Sequence, residues 1–163
     1  MQTRNNALSR GISCTGHDWW SMGLGLGLSP VAPGTMGTFL GVVLAVFLSL
    51  TPWFVSGLLL LLLCYYSVIA ATRTASKLAM DDPSVVVSDE VVGFLCAVFG
   101  WVCTLPVYMS AFVLFRLLDI VKPWPIRWVD RLHLGGLSIV GDDVIAGVLT
   151  NIILLGIWHL FGW

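Results

Sequence analysis

The sequence predicts an all-α fold: a polytopic integral membrane helical bundle with about four to five membrane segments and a Gly/Pro-rich re-entrant or interfacial loop near its N-terminus. Three observations predict it. Of 163 residues, 58% are hydrophobic and only 10% are charged, whereas a soluble domain carries roughly 25% charged residues. The charges fall into four islands, Arg4 to Asp18, Arg73 to Glu90, Arg116 to Arg131, and Asp142 with Asp143. Between the islands the uncharged runs 19–72, 91–115 and 144–163 are long enough to enter a bilayer, since a span takes ~20 apolar residues.

The elements follow in order. Residues 1–22 form a polar N-terminal segment expected at the cytoplasmic face or interface. It lacks a compact apolar core followed by small residues, so no cleaved signal peptide is expected. The string MGLGLGLSPVAPGTMGT holds five glycines and two prolines, which disfavours a continuous helix. Gly34 to Leu50 is a first apolar segment, short and ended by Pro52. Trp53 to Thr72 is a clear second. Val144 to Trp163 is a clear last, with Trp158 and Trp163 as interfacial anchors. Residues 23–163 read as one membrane-embedded domain.

The run Val91 to Phe115 fits either one tilted helix or two short helices turning at Leu105-Pro106. The positive-inside rule favours the hairpin. With a turn there, all eight Lys and Arg residues share one face of the bundle. With a single span, Arg116, Lys122, Arg127 and Arg131 lie opposite Arg73 and Lys77. Cys14, Cys64, Cys96 and Cys103 contain no CxxC pair, and read as small buried hydrophobes with reduced thiols. His17, His133 and His159 have no ligand-like spacing. The net charge of −1 provides no basic field for nucleic acid.

Three islands carry residues suited to chemistry. Asp89 and Glu90 stand where a span begins. They fit an N-cap, complementing the helix dipole, or a site for a hard cation. Arg116, Asp119 and Lys122 recur every third residue on one helical face. Pro123 and Pro125 then end the helix, and Trp124 and Trp128 suit the headgroup layer beside Arg127 and Arg131. This reads either as a snorkelling basic anchor or as a site holding both an anion and a metal. Asp119 and Asp130 favour the second, because an anchor does not need them. Asp142 and Asp143 are expected to open the last span, one binding metal and the other capping or orienting, since adjacent helical residues point ~100° apart. Thr35 and Thr38 in PGTMGT precede an apolar helix whose free amides suit an anion; close packing or N-capping explains them equally well. No GxxxxGK[ST] and no GxGxxG occur, so no nucleotide loop is predicted. From Arg116 to Asp143 four bases face four acids, and Asp89 and Glu90 make the set acidic. A phosphorylated substrate is then repelled unless one or two Mg²⁺ ions offset the carboxylates, polarise a phosphoryl oxygen and acidify a water.

The strings GLGLSPVAPGTMGT, SDEVVGF, FRLLDIVKPWPIRWVDR and GGLSIVGDDVIAGV, in this order, resemble the phosphatidylglycerophosphatase A family from about Gly23 to the last span. The resemblance implies a small bacterial inner-membrane, multi-pass protein. It implies Mg²⁺-dependent removal of the terminal phosphate of phosphatidylglycerophosphate to give phosphatidylglycerol. It implies a metal and catalytic set of Asp89, Glu90, Asp119, Asp142 and Asp143, with Asp130 less firmly included. Arg116, Lys122, Arg127 and Arg131, with Thr35 and Thr38, are the expected substrate-binding residues, at a site facing the cytoplasm. No Cys-x5-Arg or DxDx[TV] nucleophile signature occurs, so direct attack by water is expected. The bilayer and its phospholipid are the expected partners, and a homo-oligomer is left open. Two other classes fit the composition: a small transporter or channel with charges near mid-membrane, and a non-catalytic membrane subunit.

Overall fold

A computed structural model describes residues 15–161. Most of the first charged island, and Trp163, lie outside the described residues. Within them the chain forms seven α-helices and no strand. These are α1 Gly16–Ser21, α2 Pro33–Ser49, α3 Trp53–Leu78, α4 Ser88–Val98, α5 Leu105–Val121, α6 Ile126–Asp130 and α7 Gly136–Phe161. Two of them, Trp53–Leu78 and Gly136–Leu160, are long and apolar enough to cross a membrane; Pro33–Ser49 is a shorter apolar helix. The glycine-rich segment is a short 3-10 helix, Gly23–Leu28, interrupted by left-handed Leu24 and Gly25.

The run 91–115 is two helices, and the break differs from the expected one. α4 ends at Val98, the connection occupies residues 99–104, and Pro106 sits in the first turn of α5. Proline is well placed there, because the amide it lacks would have no intrahelical acceptor. The Asn151 side chain closes the end of α4 instead, donating from Nδ2 to the Cys96 carbonyl at 3.1 Å and the Phe99 carbonyl at 2.9 Å. The two helices run antiparallel, since Glu90 at the start of α4 lies 3.9 Å from Arg116 near the end of α5.

The sequence SDEVVGFLCAV is apolar on all sides after its first turn, as a helix enclosed by others must be. Nine of the eleven residues of α4 are buried. Phe94 lies in T-shaped contact with Tyr108, Phe112 and Phe115 of α5, at 6.1, 6.2 and 6.3 Å between ring centres. By contrast α3 leaves Leu58, Leu59, Leu61, Leu62 and Tyr65 exposed, an apolar face suited to lipid rather than water.

α4 and α7 run parallel and in register. Gly93 and Gly147 meet with no side chain between them: a Cβ on Gly147 would overlap the Gly93 carbonyl oxygen, and one on Gly93 would come within 2.8 Å of the Asp143 carbonyl oxygen. Small residues spaced by one turn allow this approach, as in membrane helix pairs. One turn toward the N-termini from these glycines lie Asp89 and Glu90 on α4 and Asp143 on α7. One turn the other way lies Asn151, which closes the end of α4.

α7 begins eight residues earlier than the span expected from Val144. Asp142 and Asp143 are therefore about two turns inside the helix and cannot cap it. The apolar run after Asp143 hid this start, because Gly135 in the left-handed region (φ +63) marks the true helix boundary.

Candidate active site

Three of the four charged islands contribute walls to a single cavity of about 550 Å³ at one end of the bundle. Small-molecule sites span ~300–1,000 Å³. Asp89 and Glu90 come from the start of α4, Arg116 and Asp119 from the last turns of α5, and Lys122 from its C-cap. Asp142 and Asp143 come from α7, and Ala32, Pro33 and Gly34 from the start of α2. Asp130 of α6 and Arg131 also line it.

Asp89, Glu90 and Asp143 each offer a carboxylate oxygen, and the three oxygens lie within 4.8 Å of one another. Neither adjacent acid on α4 acts as a cap: the N-cap is Val87 and no side-chain cap bond forms. Asp89 and Asp143 are 8% and 4% exposed. Asp89 Oδ1, Glu90 Oε2 and Asp143 Oδ2 are all buried with no hydrogen-bond partner. An unsatisfied buried polar atom costs ~1–3 kcal/mol, more when charged, and buried carboxylates persist when paired or metal-bound. Clustered oxygens of this kind match a hard divalent cation such as Mg²⁺, so the residues fit the metal expected from the sequence.

The other two expected acids are held by cations of the chain. Arg116 Nη1 donates to Asp119 Oδ2 at 2.7 Å, one turn along α5 as the spacing requires. Lys122 Nζ donates to Asp130 Oδ1 at 2.6 Å and Asp142 Oδ2 at 2.5 Å. Burial alone would lower the Lys122 pKa, but these two carboxylates outweigh it and hold the ammonium above the ordinary lysine range.

The N-terminal end of α2 faces the same space. Gly34 is buried there, and a Cβ at this position would overlap Glu90 Oε1 and lie 2.9 Å from Arg116 Nη2. Glycine at this point lets the helix end approach both the acid cluster and the guanidinium.

Three expected binding residues are placed elsewhere. Arg127 is exposed and donates to the Val121 carbonyl at 3.3 Å. Thr38 is fully buried and donates its hydroxyl to the Gly34 carbonyl at 2.9 Å. Thr35 is half-buried and does not line the cavity. Conversely Asp81, Asp82, Ser84, His133 and Ser138 line the cavity but were not among the expected site residues. Asp81 and Asp82 lie in the second charged island, so their charge was a signal; the connection that folds them over α4 was not.

The first island is tied to the same end. Asp18 is buried, bonded by Lys77 Nζ at 2.5 Å, by the Thr15 hydroxyl at 2.7 Å and by Thr74 at 3.3 Å. Burial pushes its pKa up, but Lys77 and Thr15 outweigh this and hold it below the usual carboxylate value.

The family model described as Phosphatidylglycerophosphatase A matches residues 19–158. The chain is 36% identical over 146 residues to the phosphatidylglycerophosphatase A of Escherichia coli (strain K12), covering 85% of this chain and 81% of that protein. It is 33% identical to the Haemophilus influenzae protein of the same name, covering 96% and 98%. A Bacteroides thetaiotaomicron relative, 35% identical and covering 81% and 87%, carries the provisional name of a phosphatidylinositol-3-phosphatase. No solved structure matches the chain. The family match spans all the elements that line the cavity, and the chain belongs to the phosphatidylglycerophosphatase A family of lipid phosphatases.

Proposed function

We propose that this protein hydrolyses the terminal phosphomonoester of phosphatidylglycerophosphate, giving phosphatidylglycerol and inorganic phosphate, at the cytoplasmic headgroup plane of the bacterial inner membrane. The observation that carries this reading is the cluster of three carboxylates, Asp89, Glu90 and Asp143, each with a buried oxygen that has no hydrogen-bond partner, beside Arg116 and Lys122 in one cavity. The family and the named activity of its relatives support the substrate.

In this reading Asp89, Glu90 and Asp143 hold Mg²⁺. When bound, Mg²⁺ neutralises phosphate charge, polarises a phosphoryl oxygen and acidifies a water. Arg116, oriented by Asp119, and Lys122, oriented by Asp130 and Asp142, bind the phosphomonoester oxygens through charge-assisted hydrogen bonds. The amides at the start of α2 add the positive end of a helix dipole. Arg131, exposed at the rim, meets the phosphodiester. A water adds to phosphorus opposite the glycerol oxygen, a cavity carboxylate takes its proton, and the released glycerol oxygen is protonated from solvent. The acyl chains stay in the bilayer against the apolar helix faces. The bundle is multi-pass, with its charged end cytoplasmic by the positive-inside rule.

The test is phosphate release by the purified protein from a panel of lipid phosphomonoesters, with EDTA and after Mg²⁺ restoration. The panel contains phosphatidylglycerophosphate, phosphatidic acid, a polyprenyl phosphate and phosphatidylinositol 3-phosphate. Phosphatidylglycerophosphate should be hydrolysed fastest, and only with Mg²⁺. Preference for phosphatidylinositol 3-phosphate would move this chain's activity toward that named for the Bacteroides relative. Full activity after thorough chelation would remove the metal.

A further inference from the structure

Lys122 has more constraints on it than a phosphate-binding lysine needs. Its ammonium bridges two carboxylates from different helices, Asp130 of α6 and Asp142 of α7, at 2.6 and 2.5 Å. Its backbone lies in the left-handed region, φ 46° and ψ 60°, as the C-cap of α5, with its amide donating to the Leu118 carbonyl at 2.8 Å. That position favours glycine or asparagine, and a residue with a long side chain is strained there. The turn nonetheless carries a lysine, and it brings the lysine's charge against Asp130 and Asp142.

The geometry around α7 divides the carboxylates into two groups. Asp142 and Asp143 are adjacent and point ~100° apart. Asp143 joins Asp89 and Glu90 in the cluster of three carboxylates, while Asp142 turns to Lys122. One helical turn thus offers one carboxylate to a divalent cation and the next to an ammonium. Enzymes that transfer phosphoryl groups often place two metal ions on opposite sides of the reacting phosphate. Here the second group of acids is already occupied by a covalently attached positive charge. An ammonium has three donors; Asp130 and Asp142 take two, and the third is left for a phosphoryl oxygen.

We propose that Lys122 stands in the place of a second divalent cation, so that the site binds one metal ion and completes its positive charge with a built-in ammonium. The inference rests on the reading of Asp89, Glu90 and Asp143 as the cation site. Lys122 acts both as a phosphate ligand and as the permanent neutraliser of Asp130 and Asp142. Removing it should expose a vacant second site formed by Asp130 and both oxygens of Asp142, since Asp142 Oδ1 is already without a partner.

The experiment counts bound Mn²⁺, by the electron paramagnetic resonance signal of the free ion, on the full-length protein in detergent. The wild type should bind one Mn²⁺ per chain. Lys122→Met should bind two, and the double variant Lys122→Met with Asp142→Asn should return to one. Thermal melting establishes that each variant is folded. A folded Lys122→Met protein that still binds one ion would overturn the inference. So would two ions on the wild type, which decides the matter even if Lys122→Met does not fold. Two on the wild type would leave the proposed function standing, whereas none would remove the metal from both.

Discussion

Gly34→Ala changes no charge and adds one carbon, yet it enters the site at its narrowest point. The new Cβ would overlap Glu90 Oε1 and stand 2.9 and 3.0 Å from Arg116 Nη2 and Nη1, where ordinary contacts begin at 3.4 Å. The guanidinium must retreat by about 0.5 Å and the carboxylate by roughly 1 Å to restore normal van der Waals spacing. Both atoms lie at the ends of flexible side chains, so the fold yields by moving them rather than by shifting backbone. Overpacking costs ~1–3 kcal/mol, and alanine recovers up to ~1 kcal/mol over glycine within a helix. Stability should therefore fall by no more than about 3 kcal/mol. Activity should fall as well. Glu90 belongs to the cation cluster and Arg116 to the phosphate wall, and a 1 Å misplacement of reacting groups costs ~100-fold, or about 2.7 kcal/mol of barrier. The assay is phosphate release from phosphatidylglycerophosphate in mixed micelles, beside thermal melting of the same sample. A variant that melts near wild type and turns over within threefold of it would refute the idea that Gly34 sets the spacing between Glu90 and Arg116.

Three further outcomes are expected. Asp143→Asn should lower turnover by at least ~100-fold, the scale of losing one charge-stabilising group, and should weaken Mn²⁺ binding; unchanged binding would take Asp143 out of the cation site. Asp18 has a pKa depressed in the folded protein, so its contribution to stability is present above the unfolded value of ~3.9 and is lost as pH falls through the lower folded value; melting between pH 6 and 3 should decline less steeply in Asp18→Asn, and parallel curves would remove this pair from acid unfolding. In a cysteine-free background, an impermeant maleimide should reach a cysteine restored at position 103 from one side of the membrane and Arg127→Cys from the other; labelling of both from one side would break the proposed orientation.

Three of the charged islands line the candidate cavity, because charge is expelled from hydrocarbon and had to gather where the helices end. The same argument made Val91 to Phe115 a hairpin, and the Glu90–Arg116 proximity agrees with it. The i, i+3 spacing of Arg116 and Asp119 was legible for a local reason: it is a property of one helix. What was not legible depended on pairs of helices. The α4–α7 register turns on Gly93 meeting Gly147, residues 54 positions apart whose role is to have no side chain. That register, together with the early start of α7 after Gly135, turns Asp142, expected as a metal ligand with capping as the alternative, toward Lys122 and places Asp143 against Asp89 and Glu90. The sequence by itself determined that this chain is an apolar helical bundle with its charge kept to the ends of its apolar runs, because transfer energies act residue by residue. Only the tertiary structure decided which acids stand free for a cation and which are neutralised by Arg116 and Lys122, because that division depends on close backbone approach between helices far apart in the chain.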